Sequence, residues 1–519
     1  MPQDIRERKG SFFTPQIRVE LSQKYIADTL GENWQDKYYV WDCCAGTGNL
    51  LVGINRNLEN VFASTIDESD VKAMHDRIEN GARLLKKNVF QFDFLNDDFN
   101  SKKLPKALKE IIDDPKKRKK LIIYINPPYA EAAQYGKSKT EISKTKMYSE
   151  FKEDISFAIN ELFSQMFARI YRYIPDCKLA TFGTLKYITA TNFTKFREFF
   201  NATFLKGFIC PANTFDNVNG PFPTSFIIWD LSLKKKISKI TVDVVNYNFK
   251  NENYIRLGKK KLHPINKGYI INDWLRNYYD NKDIIGFLRF VGPDFQANQG
   301  VYFTSEPKES DIKESRIQTI TKRNILEMSI YLTIRHCIEH TWINHNDQYL
   351  YPNDDYKNDI EFISDCLINT VFHGKNRIIA KDGLNHWIPF TEAEAGAKGK
   401  YKSHYLLELF NGDVVASNGG DLFSKNSIEG KIKFSKEAKA VLNNARKIWQ
   451  YYNSITRVDI NASFYEIKEY FQGRDNTGKM NVKSDNEEYN ELLSHLKLSM
   501  KILVDKIVPK VYEYGFLIK

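Results

Sequence analysis

The stretch Val40-Trp41-Asp42-Cys43-Cys44-Ala45-Gly46-Thr47-Gly48-Asn49-Leu50 decides the fold. An apolar run ends in an acid, passes through a turn of small residues and enters a second apolar segment. That is the pattern of a strand feeding a helix, with Gly46 and Gly48 letting a ligand approach the backbone. A dinucleotide fingerprint needs a third glycine where Leu51 stands, and no Walker lysine follows. Working outward, further β-rich runs occur at Tyr38–Asp42, Val61–Ile66, Val89–Phe92, Leu121–Ile125, Lys178–Gly183, Phe208–Ile209 and Thr224–Leu231. Helical patterns fall between several of them, at Asp70–Leu85 and Glu153–Ile174. Strands alternating with helices predict a doubly wound α/β sheet, whose ligands sit at the carboxyl ends of the strands.

Three of those strand ends carry chemistry. Asp42 closes the first. Asp67, with Glu68 as the alternative, follows the second, where a carboxylate can accept both hydroxyls of a ribose. Asp93 and Phe94 follow the third, offering an acceptor for an amine and an apolar face for a ring. Asp-x-x-x-Gly-x-Gly is the form of an S-adenosylmethionine (AdoMet) pocket, which would include Ala45, Gly46 and Gly48.

The fourth strand runs straight into Asn126-Pro127-Pro128-Tyr129. Two prolines stop the strand and fix the backbone beyond it. The Asn126 side-chain oxygen and the Pro127 carbonyl are two acceptors that can hold both protons of one NH2 group and free its lone pair. Tyr129 offers a flat face for a base. With these residues in place, the chain resembles the γ-class methyltransferases that modify N6 of adenine in DNA. Gly10-Ser11-Phe12-Phe13-Thr14-Pro15, with Val19 beyond it, is similar to the segment that in this family closes over AdoMet. The order of lid, glycine turn, catalytic motif and recognition region also matches.

The resemblance implies a Rossmann-like AdoMet-dependent domain over residues 1–250. It implies a mixed α+β and helical target-recognition region over 251–519, where Asn385-His386-Trp387-Ile388-Pro389-Phe390 and Tyr470-Phe471-Gln472-Gly473-Arg474 look similar to the family. It assigns catalysis to Asn126, Pro127, Pro128 and Tyr129. AdoMet binding falls to Phe13, Thr14, Pro15, Asp42, Ala45, Gly46, Gly48, Asp67, Asp93 and Phe94. A second clamp on a flipped base falls to Phe215 or Phe222. The vicinal Cys43-Cys44 and the polar Ser64-Thr65 depart from the commonest family pattern. The implied partner is double-stranded DNA, and the enzyme is either solitary or paired with a separate restriction endonuclease: nine residues precede the lid motif, and no carboxylate-plus-lysine cluster stands out downstream. Other substrates with a planar NH2 are RNA bases, cytosine N4 and a protein glutamine. A modification subunit that needs partners is a further reading, as is a non-catalytic AdoMet- and DNA-binding module.

Composition agrees. The 519 residues are 42% hydrophobic and 27% charged, which suits a soluble globular chain of several domains. No apolar run approaches the roughly 18 residues that span a bilayer, and the charged N-terminus is unlike a signal peptide, so a cytoplasmic location is expected. Six cysteines without a CxxC pair argue against a disulfide framework or zinc ribbon. The net charge of +11 favours a polyanionic partner. Within Lys102–Lys120, nine basic residues oppose three acidic ones, either a solvated face or a phosphate-contacting patch. His336-Cys337-Ile338-Glu339-His340 matches a zinc-peptidase pattern, but no metal is expected. Near the end, Ser484 and Glu487 have capping-box spacing. They precede a core-facing stripe of Tyr489, Leu492, Leu493, Leu496, Met500, Leu503 and Ile507, ended by Pro509.

Overall fold

The computed structural model describes residues 14–128, 142–214, 220, 222–266, 268–414 and 432–518. It divides into two compact units: residues 1–267 with 341–346, and residues 268–340 with 347–519. The boundary expected at 250/251 falls in the turn of a hairpin inside the first unit, so the structure moves it to 267/268.

The first unit is built on nine strands: β1 (Tyr39–Asp42), β2 (Val61–Thr65), β3 (Val89–Gln91), β4 (Leu121–Ile125), β5 (Lys178–Gly183), β6 (Thr203–Pro211), β7 (Pro223–Asp230), β8 (Ile240–Asn248) and β9 (Asn253–Leu262). Their order is β3-β2-β1-β4-β5-β7-β6-β8-β9. Strands β1 to β5 are parallel, and β7 runs antiparallel between β5 and β6. The expected α/β sheet is therefore present, with β8 and β9 extending it. From β1 the chain winds first to the β2 side and later to the β4 side, so the topological switch point lies between β1 and β4.

Both faces of this sheet are covered, which is why β4 reads as an unbroken apolar run. Leu121, Ile123 and Ile125 enter one core, with Leu108, Ile111 and Ile112 of the helix that precedes the strand. Ile122 and Tyr124 enter the other, with Val19, Ile26 and Met74. The helices flanking the site are α1 (Gln16–Leu30) and α2 (Glu68–Glu79); α3 (Lys106–Asp113), α4 (Lys146–Ile155) and α5 (Leu162–Tyr173) lie later in the chain.

Two helix expectations change. The pattern over 70–85 is α2, which starts two residues earlier and stops at Glu79, because Gly81 takes φ +98°. The single helix expected over 153–174 is α4, a 3-10 turn and α5; Ser156 at φ +49° cannot continue an α-helix.

The second unit holds a four-stranded sheet of β10 (Ile284–Arg289), β11 (Tyr302–Thr304), β12 (Ile317–Thr321) and β13 (Asn376–Arg377), in the order β12-β10-β11-β13. Its longer helices are α6 (Ile325–His336), α7 (Ile360–Phe372), α8 (Lys436–Ser454), α9 (Phe464–Gln472) and α10 (Glu487–Glu513). The stripe on α10 is buried at Tyr489, Leu493, Leu496, Leu503 and Ile507. However, the cap is Asn486, which accepts from the Tyr489 amide at 2.8 Å, while Ser484 donates to the Phe471 carbonyl. Nor does Pro509 end the helix. Val511, Tyr514, Phe516 and Leu517 beyond it are buried, offsetting the roughly 3 kcal/mol an interior proline costs.

Candidate active site

The site lies at the carboxyl ends of the parallel strands, and strand register sets its heights. Asp42 pairs with Ala63 on β2, while Trp41 pairs with Ile123 on β4. Counting onward, Asn126 reaches the level of Cys44. Thr65 pairs with Gln91, so Asp67 and Asp93 are level on neighbouring strand ends. Adjacent strands are roughly 4.8 Å apart, which places the ends of β2, β1 and β4 within about 10 Å.

The turn after β1 is held from several directions. The Ala45 amide donates to the Ser64 carbonyl at 2.9 Å, and the Gly48 amide to the Ala45 carbonyl at 2.8 Å. Arg77 of α2 donates to the Thr47 carbonyl and to Asn49 Oδ1, at 2.5 and 2.7 Å. Gly46 (φ +52°) and Gly48 (φ +81°) both take conformations that favour glycine, but their surroundings differ. A methyl on Gly48 would meet Met74 Sδ at 3.2 Å; one on Gly46 would meet nothing within 4 Å. The open side of Gly46 is where a ligand can lie against the backbone.

Asp42 is 1% exposed, and its Oδ1 accepts from the Cys44 amide at 3.1 Å. Burial pushes its pKa up from 3.8 to about 7, against the pull of that hydrogen bond. Asp67 is half-buried at the start of α2. Glu68 is turned outward and pairs with Lys72 at 2.9 Å, so it leaves Asp67 as the better placed of the two acids. The polar Ser64 has a structural reason: its Oγ accepts from the Trp41 indole at 3.1 Å.

Asp93 organises its own turn. Its carboxylate accepts from the Leu95 amide (3.0 Å), the Asn96 amide (3.2 Å) and Asn96 Nδ2 (2.8 Å). Of about four acceptor positions on a carboxylate, this leaves one for an incoming amine. Phe94, expected to lie against the adenine, is in the core instead. It is 4% exposed, with its ring 5.4 Å from Trp41 and 5.9 Å from Phe99. The capped turn at Asp93 rotates it inward, where Arg169 holds the Phe94 and Asp97 carbonyls.

Asn126 is half-buried beyond β4, with Pro127 buried and Pro128 half-buried. Its Nδ2 donates to Thr14 Oγ1 at 2.9 Å, joining the segment ahead of α1 to the Asn-Pro-Pro turn. Thr14 is buried, and the Pro15 carbonyl accepts from the Arg18 and Val19 amides to start α1. Cys44 Sγ lies 3.5 Å from the Asn126 carbonyl oxygen, so the two turns touch. Phe222, half-exposed, stands just before β7, on the sheet edge where β5 ends, because Gly183 pairs with Ser225. Its ring is 6.0 Å from His345. Phe13, Tyr129 and Phe215, like Gly10, Ser11 and Phe12, lie outside the described residues. Cys44, Arg77 and Arg169 were missed from sequence: each acts by contacting residues distant in the chain, and no local pattern announces that.

The end of the basic run and the HxxEH match lie elsewhere. The Lys120 carbonyl accepts from Tyr39, at the amino ends of β4 and β1, roughly 20 Å of strand from Asn126. Arg118 donates to the Pro175 and Ile112 carbonyls, and Lys109 pairs with Asp113. Helix α6 ends at His336, so His340 does not share a helical face with it. His336 Nε2 lies 2.9 Å from the Val301 carbonyl oxygen.

Residues 3–180 match the family described as N-6 DNA methylase, a stretch that takes in the lid segment, the glycine turn and the Asn-Pro-Pro motif. That match covers 178 of the 519 residues and agrees with the resemblance. No curated protein matches the sequence. Among solved structures, the chain is similar to the type IIL restriction-modification enzyme MmeI in complex with DNA, at 12% identity and TM-score 0.38, over 98% of this chain and 77% of that one. It is similar to the DrdV–DNA complex at 14% identity and TM-score 0.34, over 48% of this chain and 30% of that one. For the type IIG restriction endonuclease BpuSI the values are 15% identity and TM-score 0.32, over 63% of this chain and 35% of that one. The chain thus spans about a third of the length of DrdV and BpuSI.

Proposed function

We propose that this chain is a DNA methyltransferase that moves a methyl group from AdoMet to N6 of an adenine flipped out of the duplex. The observation that carries the reading is Asn126-Pro127-Pro128 at the end of β4, in contact with the glycine turn at the sheet's switch point. The family match over residues 3–180 supports it. The residues present fit AdoMet: Gly46 leaves open space beside the turn, and acids follow β1, β2 and β3. Asp67 would take the ribose and Asp93 the adenine amine, with Asp42 beneath the turn. AdoMet supplies a methyl group already activated by a sulfonium charge.

The protein's part is positioning. N6 of adenine lies inside the base stack, so the base must leave it. The Asn126 oxygen and the Pro127 carbonyl accept the two N6 protons and turn the nitrogen lone pair toward the methyl group. Thr14 fixes the Asn126 amide in the orientation this requires. As N6 gains positive charge, the two acceptors hold it more tightly, which lowers the barrier rather than merely strengthening binding. Tyr129 and one of Phe215 or Phe222 would enclose the base, and the second unit would supply readout of bases and phosphates.

The test is expression in a bacterium lacking adenine and cytosine methylation, followed by single-molecule sequencing of its genome. N6-methyladenine at one recurring motif, absent with Asn126→Ala, is expected. N4-methylcytosine, or an unmodified genome with the protein folded and loaded with AdoMet, would overturn the reading. Cleavage of unmethylated DNA by a separate nuclease at the same motif would identify a restriction partner.

A further inference from the structure

The second unit contains a cavity of about 430 Å³ lined by Arg377, Lys468, Arg474, Lys479 and Lys497, with no Asp or Glu in its wall. Arg474 is neutralised: it donates to Glu469 Oε1 at 2.5 Å, to the Tyr465 hydroxyl at 2.8 Å and to the Gly478 carbonyl at 2.7 Å. Among the described residues, the other four have no ion-pair partner. Arg377 lies over the Tyr302 ring at 4.4 Å, and Lys468, on α9, lies near the Phe464 ring.

The cations are held in place. Lys479 sits on a loop closed by a bridge between Arg474 and Met480. The Asp475 carboxylate is turned into that loop, where it accepts from the amides of Thr477 (2.9 Å) and Lys479 (3.0 Å). Asn481 Nδ2 donates to the Gln472 carbonyl at 2.9 Å. Burial and the nearby Lys497 lower the pKa of Lys468. His373 is pushed down to about 4 by burial, then by Lys375 and Lys468. Arg377, Lys468, Lys479 and Lys497 gather here without an ion-pair partner among the described residues, which favours an anionic ligand.

We propose that this cavity is a phosphate-binding site that grips a phosphodiester of a polynucleotide, deepening the reading of this chain as a DNA-modifying enzyme and resting on it. Phosphate oxygens are the shared chemistry of a DNA backbone and a free nucleotide. The backbone is favoured because a nucleotide also needs a face for its base. Tyr465, the aromatic residue of the wall, already carries the Arg474 guanidinium 5.9 Å over its ring.

The experiment measures binding of a fluorescein-labelled duplex by anisotropy across a salt series, for the full chain, Lys479→Glu/Lys497→Glu and, separately, Lys468→Gln. Lys479 and Lys497 are exposed, so their reversal should leave the melting temperature in place. A shallower log–log salt slope, by about 0.9 for each phosphate lost, and about tenfold weaker binding are expected. AdoMet affinity should be unchanged. A second arm titrates ATP and inorganic phosphate by thermal shift. Unchanged slope and affinity in both variants would overturn the site while leaving the methyltransferase reading, judged by genomic N6-methyladenine, intact. ATP stabilisation lost in the variants with unaltered DNA binding would overturn the polynucleotide assignment. A full-length protein that binds no duplex would overturn both.

Discussion

Thr14→Val is the most informative single change in the proposed active site. It is nearly isosteric and removes only the oxygen that accepts from Asn126 Nδ2 at 2.9 Å. Thr14 is 6% exposed, so water does not readily replace the lost partner. A neutral hydrogen bond of this kind contributes about 0.5–1.5 kcal/mol. If that energy holds the Asn126 oxygen toward N6 in the transition state, the rate should fall about 2- to 12-fold at about 1.4 kcal/mol per tenfold. Thr14→Ser keeps the oxygen and should recover most of the rate. The assay is single-turnover transfer of tritiated methyl groups to duplex DNA, with AdoMet affinity measured separately by calorimetry. Adding Thr14→Val to Asn126→Ala should cost nothing further, because the two residues act through one contact. A wild-type single-turnover rate for Thr14→Val, or full additivity of the pair, would refute the reasoning.

The remaining predictions concern the cofactor side. Asp42 is protonated more readily folded than unfolded, so its contribution to stability is full below pH 3.8, declines as pH rises, and is lost above about pH 7. Asp42→Asn should therefore melt higher than wild type at pH 8, with the gap closing on acidification toward pH 4; a pH-independent gap would contradict this. Asp67→Ala should weaken AdoMet binding in calorimetry, whereas Glu68→Ala should only remove an exposed ion pair with Lys72, worth about 0.3–0.5 kcal/mol. Gly48→Ala should lose about 1–2 kcal/mol of stability from its left-handed backbone and the Met74 contact. Gly46→Ala, whose methyl enters open space, should in addition cut AdoMet affinity, and equal affinities for the two variants would count against the pocket.

Legibility followed how local each signal was. β4 was readable to the residue, because a strand buried on both faces leaves an uninterrupted apolar run. The edge hairpin of β8 and β9 was not: β9 is mostly exposed and reads Asn-Tyr-Ile-Arg-Leu-Gly-Lys-Lys-Lys-Leu, with neither continuous apolarity nor clean alternation. The proposed catalytic asparagine was visible because Pro-Pro marks where its strand must stop. Its link to Thr14, and the Cys44 contact, were invisible, since they span 112 and 82 positions of sequence. Phe94 was misread for a related reason. The turn that the Asp93 carboxylate caps sends the ring inward, and those bonds are formed only on folding.

Charge shows the same division between sequence and space. The densest basic run, Lys102–Lys120, stands immediately before the proposed catalytic strand, yet its last residue, Lys120, lies at the opposite end of that strand from Asn126. Several of its charges are already engaged: Lys103 with Asp97, Lys109 with Asp113, and Arg118 with two backbone carbonyls. Arg377, Lys468, Lys479 and Lys497 are scattered across the second half of the sequence, and no composition window would gather them. Folding brings them to one cavity whose wall holds no carboxylate. A phosphate responds to cations that converge without counter-charges, not to cations that are consecutive. The net charge of +11 is only a total; the part that bears on a polyanion is the fraction that the fold leaves unpaired and holds together.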